Sequence, residues 1–179
     1  LLITAILMGP PLSTTSSNST STEDLSLTEQ WQDDLDFLYS ALQEHHPDPF
    51  YRTSQDRLQR AVDSLHERIP KLTDAQIKLE LQRIAPLVKD GHTHLALTPH
   101  AFNFDIVPVR LYWFSDGMYI IDALEPYQET IGSRIYQIEN TLLEEIYIRL
   151  NSYISAENSF WPQLVIPYWG RSPEVLQAL

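Results

Sequence analysis

Residues 89–94 carry the residue types whose spacing most strongly suggests chemistry in this sequence. They follow a predicted helix and precede an extended segment, and such junctions expose side chains. We predict His92 as a candidate general base, because an imidazole with a pKa of about 6.5 both accepts and donates a proton near neutral pH. Two alternatives stay open: the His92 ring caps carbonyl groups at the helix end, and Asp90 bonds its own turn instead of orienting that ring.

The same segment has a second chemical interpretation, as part of a metal site. His92 and His94 would point to one side of an extended strand, where they could bind Zn²⁺ with His46 or His100 as a third ligand. No H-E-x-x-H or H-x-x-E-H pattern supports this interpretation. We therefore expect no metal site and no cofactor, and we interpret His45 and His46 as a helix C-terminal cap.

Composition narrows the remaining chemistry. The sequence has no cysteine, which excludes disulfides, thiolate zinc sites and a cysteine nucleophile. It has only 5 Gly and neither of the two common Gly-rich phosphate-binding patterns. Its formal net charge is -12, so nucleic acid is not an expected partner. No complete set of nucleophile, base and orienting residue is visible.

Three predicted helices must position this junction. A capping box at Ser26 and Glu29 begins the first, which runs to His45 before two prolines. Thr53 or Ser54 caps the second, and a capping box at residues 73–76 begins the third. Pro86 is expected to kink the last turn of the third helix, and Gly91 to end it in a left-handed conformation. The residues predicted to face the core are Trp31, Leu35, Leu38, Leu42, Leu58, Ala61, Val62, Leu65, Ile69, Ile77, Leu81, Ile84 and Val88.

The second half has strand patterns. Residues 107–114 and 118–121 flank an Asp-Gly turn and predict a hairpin, in which Pro108 delays the first strand or places it at a sheet edge. Residues 132–138 predict another strand, and residues 140–141 cap a short helix. Residues after Ser152 show no clear period until Ser172 opens a last helix. The predicted fold class is α+β, with a three-helix unit followed by a β-rich region.

Six aromatic residues of the second half have two interpretations. They could line a substrate groove, or they could pack in the core, which is the usual use of such residues. They are Trp113, Phe114, Phe160, Trp161, Tyr168 and Trp169.

The N-terminal residues 1–25 predict export. Residues 1–8 are apolar and uncharged, and residues 13–22 are rich in Ser and Thr. This composition is typical of a signal-peptide remnant followed by a flexible linker, and eight residues are too few to cross a bilayer. We expect an extracytoplasmic location, no stable membrane span, and an incomplete fragment of a longer protein.

Three motifs in residues 31–97 carry a family resemblance. They are the His-Pro-x-x-Phe turn at residues 46–50, the Ile-Pro-x-Leu-x-Asp connection at residues 69–74 and the Asp-Gly-His-Thr-x-Leu segment at residues 90–95. Together they resemble the N-terminal helical region of tail-specific (C-terminal processing) and tricorn-core-like serine peptidases. The second half is similar to the β-rich, PDZ-like part of the same group.

This resemblance implies a domain order and a mechanism. It implies an N-terminal helical domain at residues 26–98 and a PDZ-like region at residues 99–179, truncated before the catalytic domain. In tricorn-like members the matching histidine is the general base for a serine, which assigns that role to His92; processing members use a Ser-Lys pair instead. The nucleophile would lie beyond Leu179, so the fragment alone is expected to be inactive toward its peptide or unfolded-protein substrate.

A second function of a different class stays open. The chain could be a non-catalytic exported module that keeps a peptidase-like fold and binds extended peptides by adding them to a sheet edge. The two hypotheses differ in whether the protein continues into a segment that supplies a reactive serine. Oligomeric state and substrate preference are not predicted from these residues.

Overall fold

The computed structural model describes residues 26–96, 98–156 and 158–179. The expectations for residues 1–25 lie outside these ranges. The described residues form an α+β fold, which confirms the predicted class. The helices are α1 (Leu27–His45), α2 (Gln55–Arg68), α3 (Asp74–Ile84), α4 (Leu143–Asn151), α5 (Phe160–Trp169) and α6 (Pro173–Ala178). The strands are β1 (Val109–Phe114), β2 (Gly117–Ala123), β3 (Arg134–Ile135), β4 (Gln137–Ile138) and β5 (Thr141–Leu142).

The first three helices begin where their caps predict. In α1 the Ser26 hydroxyl accepts from the Glu29 N–H while the Glu29 carboxylate accepts from the Ser26 N–H. Ser54, one of the two predicted caps, begins α2, and a second capping box at Thr73 begins α3. The predicted core positions are buried except Ala61, which is partly buried. Capping and apolar periodicity thus act together to fix this unit.

The end of α3 differs from the prediction. The helix stops at Ile84, and residues Ala85–Val88 continue as a 3₁₀ turn instead of a kinked α-helix. Pro86 has no N–H to donate within an α-helix, which accounts for the change. The left-handed residue is Lys89, with φ of 60°, and not Gly91. In this conformation the Lys89 carbonyl accepts a hydrogen bond from Arg52 Nη1 at 3.2 Å.

The predicted hairpin is confirmed as β1 and β2. β1 begins after Pro108 as expected. The turn itself lies one residue earlier than the predicted Asp-Gly pair: its two residues are Ser115 and Asp116, and Gly117 already pairs with Phe114 in β2. Gly117 suits the start of β2, because its φ of 149° is a backbone conformation that L side chains rarely adopt. Sheet order is β1-β2-β3, so β1 is an edge strand.

The single strand predicted at residues 132–138 is wrong. β3 pairs with β2, whereas β4 pairs with β5 in a separate two-stranded sheet. Between them the Tyr136 carbonyl accepts from the Leu143 N–H at 2.9 Å. Glu139 has φ of 52° in the tight turn that reverses the chain. Residues 140–141 therefore belong to this hairpin and do not cap α4, whose N-cap Leu142 makes no side-chain bond.

Helix α5 was not predicted. It buries Val165, Ile166 and Trp169, but Phe160 and Leu164 are also apolar and exposed, so no polar face marks its period. Its start has a local cause, because Asn158 Oδ1 accepts from the N–H groups of Phe160 and Trp161 at 3.0 Å each. Pro162 lies in the first turn, where a helix needs no N–H donor. The last predicted helix, α6, is confirmed with Ser172 as its cap.

A second buried cluster joins α3 to the C-terminal helices. It contains Leu79 and Ala96 together with buried residues of the second half. At its centre Gln82 is 2% exposed. Its amide donates to the carbonyls of Ala96 (2.9 Å) and Tyr153 (3.2 Å) and accepts from the Ala96 N–H (2.9 Å). This amide therefore satisfies three backbone groups that would otherwise be buried without partners.

The domain boundary between residues 98 and 99 stays a prediction, as does the PDZ-like character of the second half. Within the described ranges, no helix combines the length and apolar character that crossing a bilayer requires.

We predict that Gln82→Leu lowers the free energy of unfolding by about 2–4 kcal/mol, because three backbone groups lose their partners without regaining water. Urea unfolding followed by circular dichroism measures the change. Gln43→Leu is the matched control, since Gln43 lies exposed on α1, and its effect should stay within about 0.5 kcal/mol. Equal effects of the two substitutions would show that the Gln82 amide does not stabilise the fold.

Candidate functional site

The turn after the 3₁₀ segment Ala85–Val88 is built around Asp90. Its carbonyl accepts from the Thr93 N–H at 3.0 Å. Its carboxylate accepts from the His92 N–H at Oδ1 and from the Thr93 hydroxyl at Oδ2, both at 3.0 Å. The open alternative for Asp90 is therefore what the structure shows, because this side chain bonds its own turn.

Three other segments hold the same turn. His46, the residue after α1, places Nε2 3.0 Å from Asp90 Oδ2. Arg52 binds the Lys89 carbonyl from the loop before α2. Ser155, which follows α4, donates its hydroxyl hydrogen bond to the Asp90 carbonyl. The backbone that carries His92 is thus fixed from both halves of the chain.

These donors keep Asp90 ionised. Its pKa falls from 3.8 to about 2, first because the His92 N–H donates to the carboxylate. Partial burial opposes this change, and the hydrogen bonds from His46 and Thr93 add to it. A fixed negative charge therefore lies beneath the turn at neutral pH.

Both ring nitrogens of His46 are occupied. Nδ1 accepts from the Asp48 N–H at 3.1 Å, so in the neutral ring Nε2 carries the proton and donates it to Asp90. His46 is the C-cap residue of α1, as predicted, and its N–H donates to the Leu42 carbonyl. Its ring binds Asp90 and Asp48. Because neither nitrogen is free, His46 is not suited to act as a general base.

The His92 ring, unlike the His46 ring, is exposed to solvent. The side chain is 85% exposed, and its Nδ1 lies 3.7 Å from Asp90 Oδ1, beyond hydrogen-bond distance. In the described part of the chain, no hydrogen bond joins the ring to a carbonyl at the end of α3. The backbone of His92 is bonded while its imidazole stays accessible.

The geometry of His94 does not match the premise of the zinc interpretation. Residues 91–92 form a turn and residues 93–94 belong to no strand, so His92 and His94 do not alternate along one strand face. The Nδ1 atom of His94 is buried and has no hydrogen-bond partner among the described residues, and burial lowers the pKa of this ring. Within the described ranges, no group of three or more His, Asp or Glu side chains could hold a metal ion.

A groove of about 620 Å³ lies between β1 and α5. It is lined by four consecutive residues of β1, 110–113, together with Ile121 of β2, so it runs along β1. Phe114 and Gly117 flank the two-residue turn directly, so they form a hydrogen-bonded pair. Hydrogen-bonded and non-hydrogen-bonded pairs alternate along an antiparallel ladder, so the backbone groups of Leu111 and Trp113 point away from β2. Among the described residues no strand pairs with this edge of β1, so the groove presents strand-edge backbone groups.

The walls of the groove are apolar and carry positive charge. On α5 the residues Phe160, Leu164 and Tyr168 are exposed at a spacing of four. None of the described residues that line the groove is Asp or Glu, whereas Arg110 and Arg171 both line it. The Arg110 guanidinium lies 3.7 Å from the Asp122 carboxylate, and both side chains are exposed.

Arg171 is held at the junction of this groove with a second, mainly apolar cavity of about 360 Å³ behind β1. Its Nη1 donates to the Val109 carbonyl at 2.8 Å, and its guanidinium lies 5.5 Å from the Tyr168 ring centroid. Its Nε is buried and has no hydrogen-bond partner among the described residues. A carboxylate is the ligand that best matches such a donor.

The six aromatic residues fall between the two interpretations. Trp169 is buried beside Phe102, and Trp161 packs against the same cluster. Phe160, Tyr168 and Trp113 line the groove. Phe114 fits neither interpretation, because it is exposed outside the groove and packs against Tyr112 and Tyr119. Leu164 and Arg171 were not predicted from the sequence. The spacing of four between Phe160, Leu164 and Tyr168 was the available signal for Leu164, and no such pattern marks Arg171.

No protein-family model, curated protein or solved structure matches this chain. The resemblance to serine peptidases therefore remains a prediction based on the three motifs. What the structure adds is local geometry: a bonded turn that exposes His92, and an apolar groove along a strand edge.

We predict that the Asp90 carboxyl titrates near pH 2, as ¹³C NMR of the side chain would measure. Because its pKa is lower in the folded than in the unfolded chain, Asp90 stabilises the fold fully above about pH 4. This contribution is lost as the pH falls through about 2. Thr93→Val removes one donor and should raise the pKa part of the way toward 3.8.

The matched control is Thr53→Val. Thr53 is buried like Thr93, but its hydroxyl has no hydrogen-bond partner among the described residues. It should leave the Asp90 titration unchanged. A wild-type carboxyl that titrated near 3.8 would contradict the proposed bonding of the turn.

Proposed function

We propose that this chain is the N-terminal part of an exported serine peptidase that resembles the tail-specific and tricorn-core-like enzymes. His92 is its general base, and a later part of the protein supplies the serine nucleophile. The supporting observation is the contrast at the Asp90 turn. The backbone around His92 is hydrogen-bonded, whereas the His92 ring is 85% exposed.

The role of His92 as a base follows from the negative charge of the neighbouring Asp90 carboxylate. A small closure of the 3.7 Å separation would let His92 Nδ1 donate to Asp90 Oδ1, and catalytic hydrogen bonds are often long before substrate binds. Nε2 would then accept the serine proton as the oxygen attacks the peptide carbonyl. Ionised Asp90 would stabilise the resulting imidazolium, as the carboxylate does in a Ser-His-Asp triad.

The test uses the natural protein that contains this chain. We expect it to react with a fluorophosphonate serine reagent and to hydrolyse a casein-derived peptide. His92→Ala should lower both rates by about 10²–10⁴-fold. His100→Ala is the control, because His100 is also exposed but lies in another turn.

The outcomes separate the parts of the proposal. Full activity of the His92→Ala protein would remove the base assignment and favour a Ser-Lys mechanism. A wild-type protein that does not react with the serine reagent would contradict the peptidase function itself.

The groove favours a second candidate function, a non-catalytic peptide-binding module. An extended peptide could bond to the backbone of Leu111 and Trp113 as an added strand. Its apolar side chains would pack against Leu164, and a carboxylate would pair with the positive charge of Arg171, which lines the groove. In a peptidase the same groove would hold substrate, so peptide binding supports both functions and only serine reactivity separates them.

We predict that Leu164→Glu lowers the affinity for a fluorescein-labelled, Ala/Val-rich decapeptide by at least about tenfold, because it places a charge in the apolar wall. Fluorescence anisotropy measures the affinity. Ile148→Glu is the control: Ile148 is an exposed apolar residue of α4 outside the groove and adds the same charge. If both substitutions weakened binding equally, the peptide would bind elsewhere.

A further inference from the structure

We infer that His46 is a positioning residue for His92. In its neutral form with the proton on Nε2, it holds the Asp90 carboxylate, and the carboxylate in turn holds the backbone of His92. The catalytic consequence rests on the proposed function, whereas the positioning itself can be measured without any activity.

The His46 ring is fixed from two sides. Its side chain is only 11% exposed. The Asp48 N–H binds Nδ1, which sets the orientation and the tautomer of the ring, and Nε2 then faces Asp90 Oδ2 at 3.0 Å. A ring that is bonded at both nitrogens has one orientation available, so it can define the place of its partner.

The two oxygens of Asp90 connect His46 to His92. Oδ2 accepts a hydrogen bond from His46 Nε2, and Oδ1 accepts one from the His92 N–H, each at 3.0 Å. The His92 ring is exposed and has little packing to position it, so its location depends on its backbone. Loss of the His46 bond should therefore displace the His92 ring without altering its chemistry.

Other contacts to the turn have different effects. Arg52 and Ser155 bind the carbonyls of Lys89 and Asp90 and do not contact the carboxylate. Thr93 binds Oδ2, but it belongs to the turn itself. His46 is the link from the end of α1 to the carboxylate that holds the backbone N–H of His92.

Two substitutions separate the bonds of His46. In His46→Asn the amide oxygen can still accept the Asp48 N–H, but the side chain is too short to reach Asp90. In His46→Gln the amide nitrogen lies near the position of Nε2 and can donate to Asp90. The Gln variant should therefore rescue what the Asn variant loses.

The first experiment measures the turn in the full-length protein by NMR. In the wild type, ¹⁵N shifts should show His46 Nδ1 without a proton. His46→Asn should speed hydrogen exchange of the His92 amide by at least about tenfold, because this N–H loses a fixed acceptor. His46→Gln should stay within about threefold of wild type. Unchanged exchange in the Asn variant, or equal exchange in both variants, would overturn the inference.

The second experiment measures the catalytic consequence. His46→Asn should lower kcat by about 10–100-fold with little change in KM, because a misplaced base slows the chemical step. In a His92→Ala background the same substitution should have no further effect. An equal loss in both backgrounds would indicate a general structural role and would contradict positioning of His92. If the wild type has no His92-dependent activity, the proposed function fails and the exchange experiment alone decides the inference.

Discussion

A carboxylate has two oxygens, and both oxygens of Asp90 are bound by donors that come from different parts of the chain. Oδ1 accepts from the N–H of His92, and Oδ2 accepts from Thr93 and His46. The Asp90 carbonyl adds a bond from Ser155, beyond α4. Through its carboxylate and its carbonyl, Asp90 thereby joins the end of α1, the 3₁₀ segment after α3 and the second half of the molecule. The position of His92 depends on this arrangement, since its ring makes no hydrogen bond to any described residue that would hold it.

Much of the first half could be predicted because its signals are local. The capping boxes at Ser26 and Thr73 are complete within four residues, and the apolar period of each helix is visible within that helix's own residues. The position of His92 at a helix end was also predictable from its neighbours. The partners of Asp90 were not, because His46 and Ser155 lie 44 and 65 residues away in sequence.

The second half was harder to predict because its structure depends on contacts that no short pattern contains. Helix α5 is apolar on its exposed face as well as its buried face, so the usual contrast that marks a helix is missing. The split between β3 and β4 depends on the Tyr136 carbonyl, whose partner is the N–H of Leu143.

The left-handed residue at the end of the 3₁₀ segment is Lys89, whose carbonyl is bound by Arg52. A glycine nearby is therefore a weak guide to the site of a helix end.

The absence of carboxylates from the described lining of the groove has a kinetic consequence. The chain carries 24 acidic and 12 basic residues, so at long range it repels an anionic peptide. At contact, the same peptide meets Arg110 and Arg171. Salt screens interactions over distances beyond about 8–10 Å far more than it weakens a partly buried contact. Encounter with an acidic peptide should therefore become faster as ionic strength rises, the reverse of the usual behaviour of oppositely charged partners.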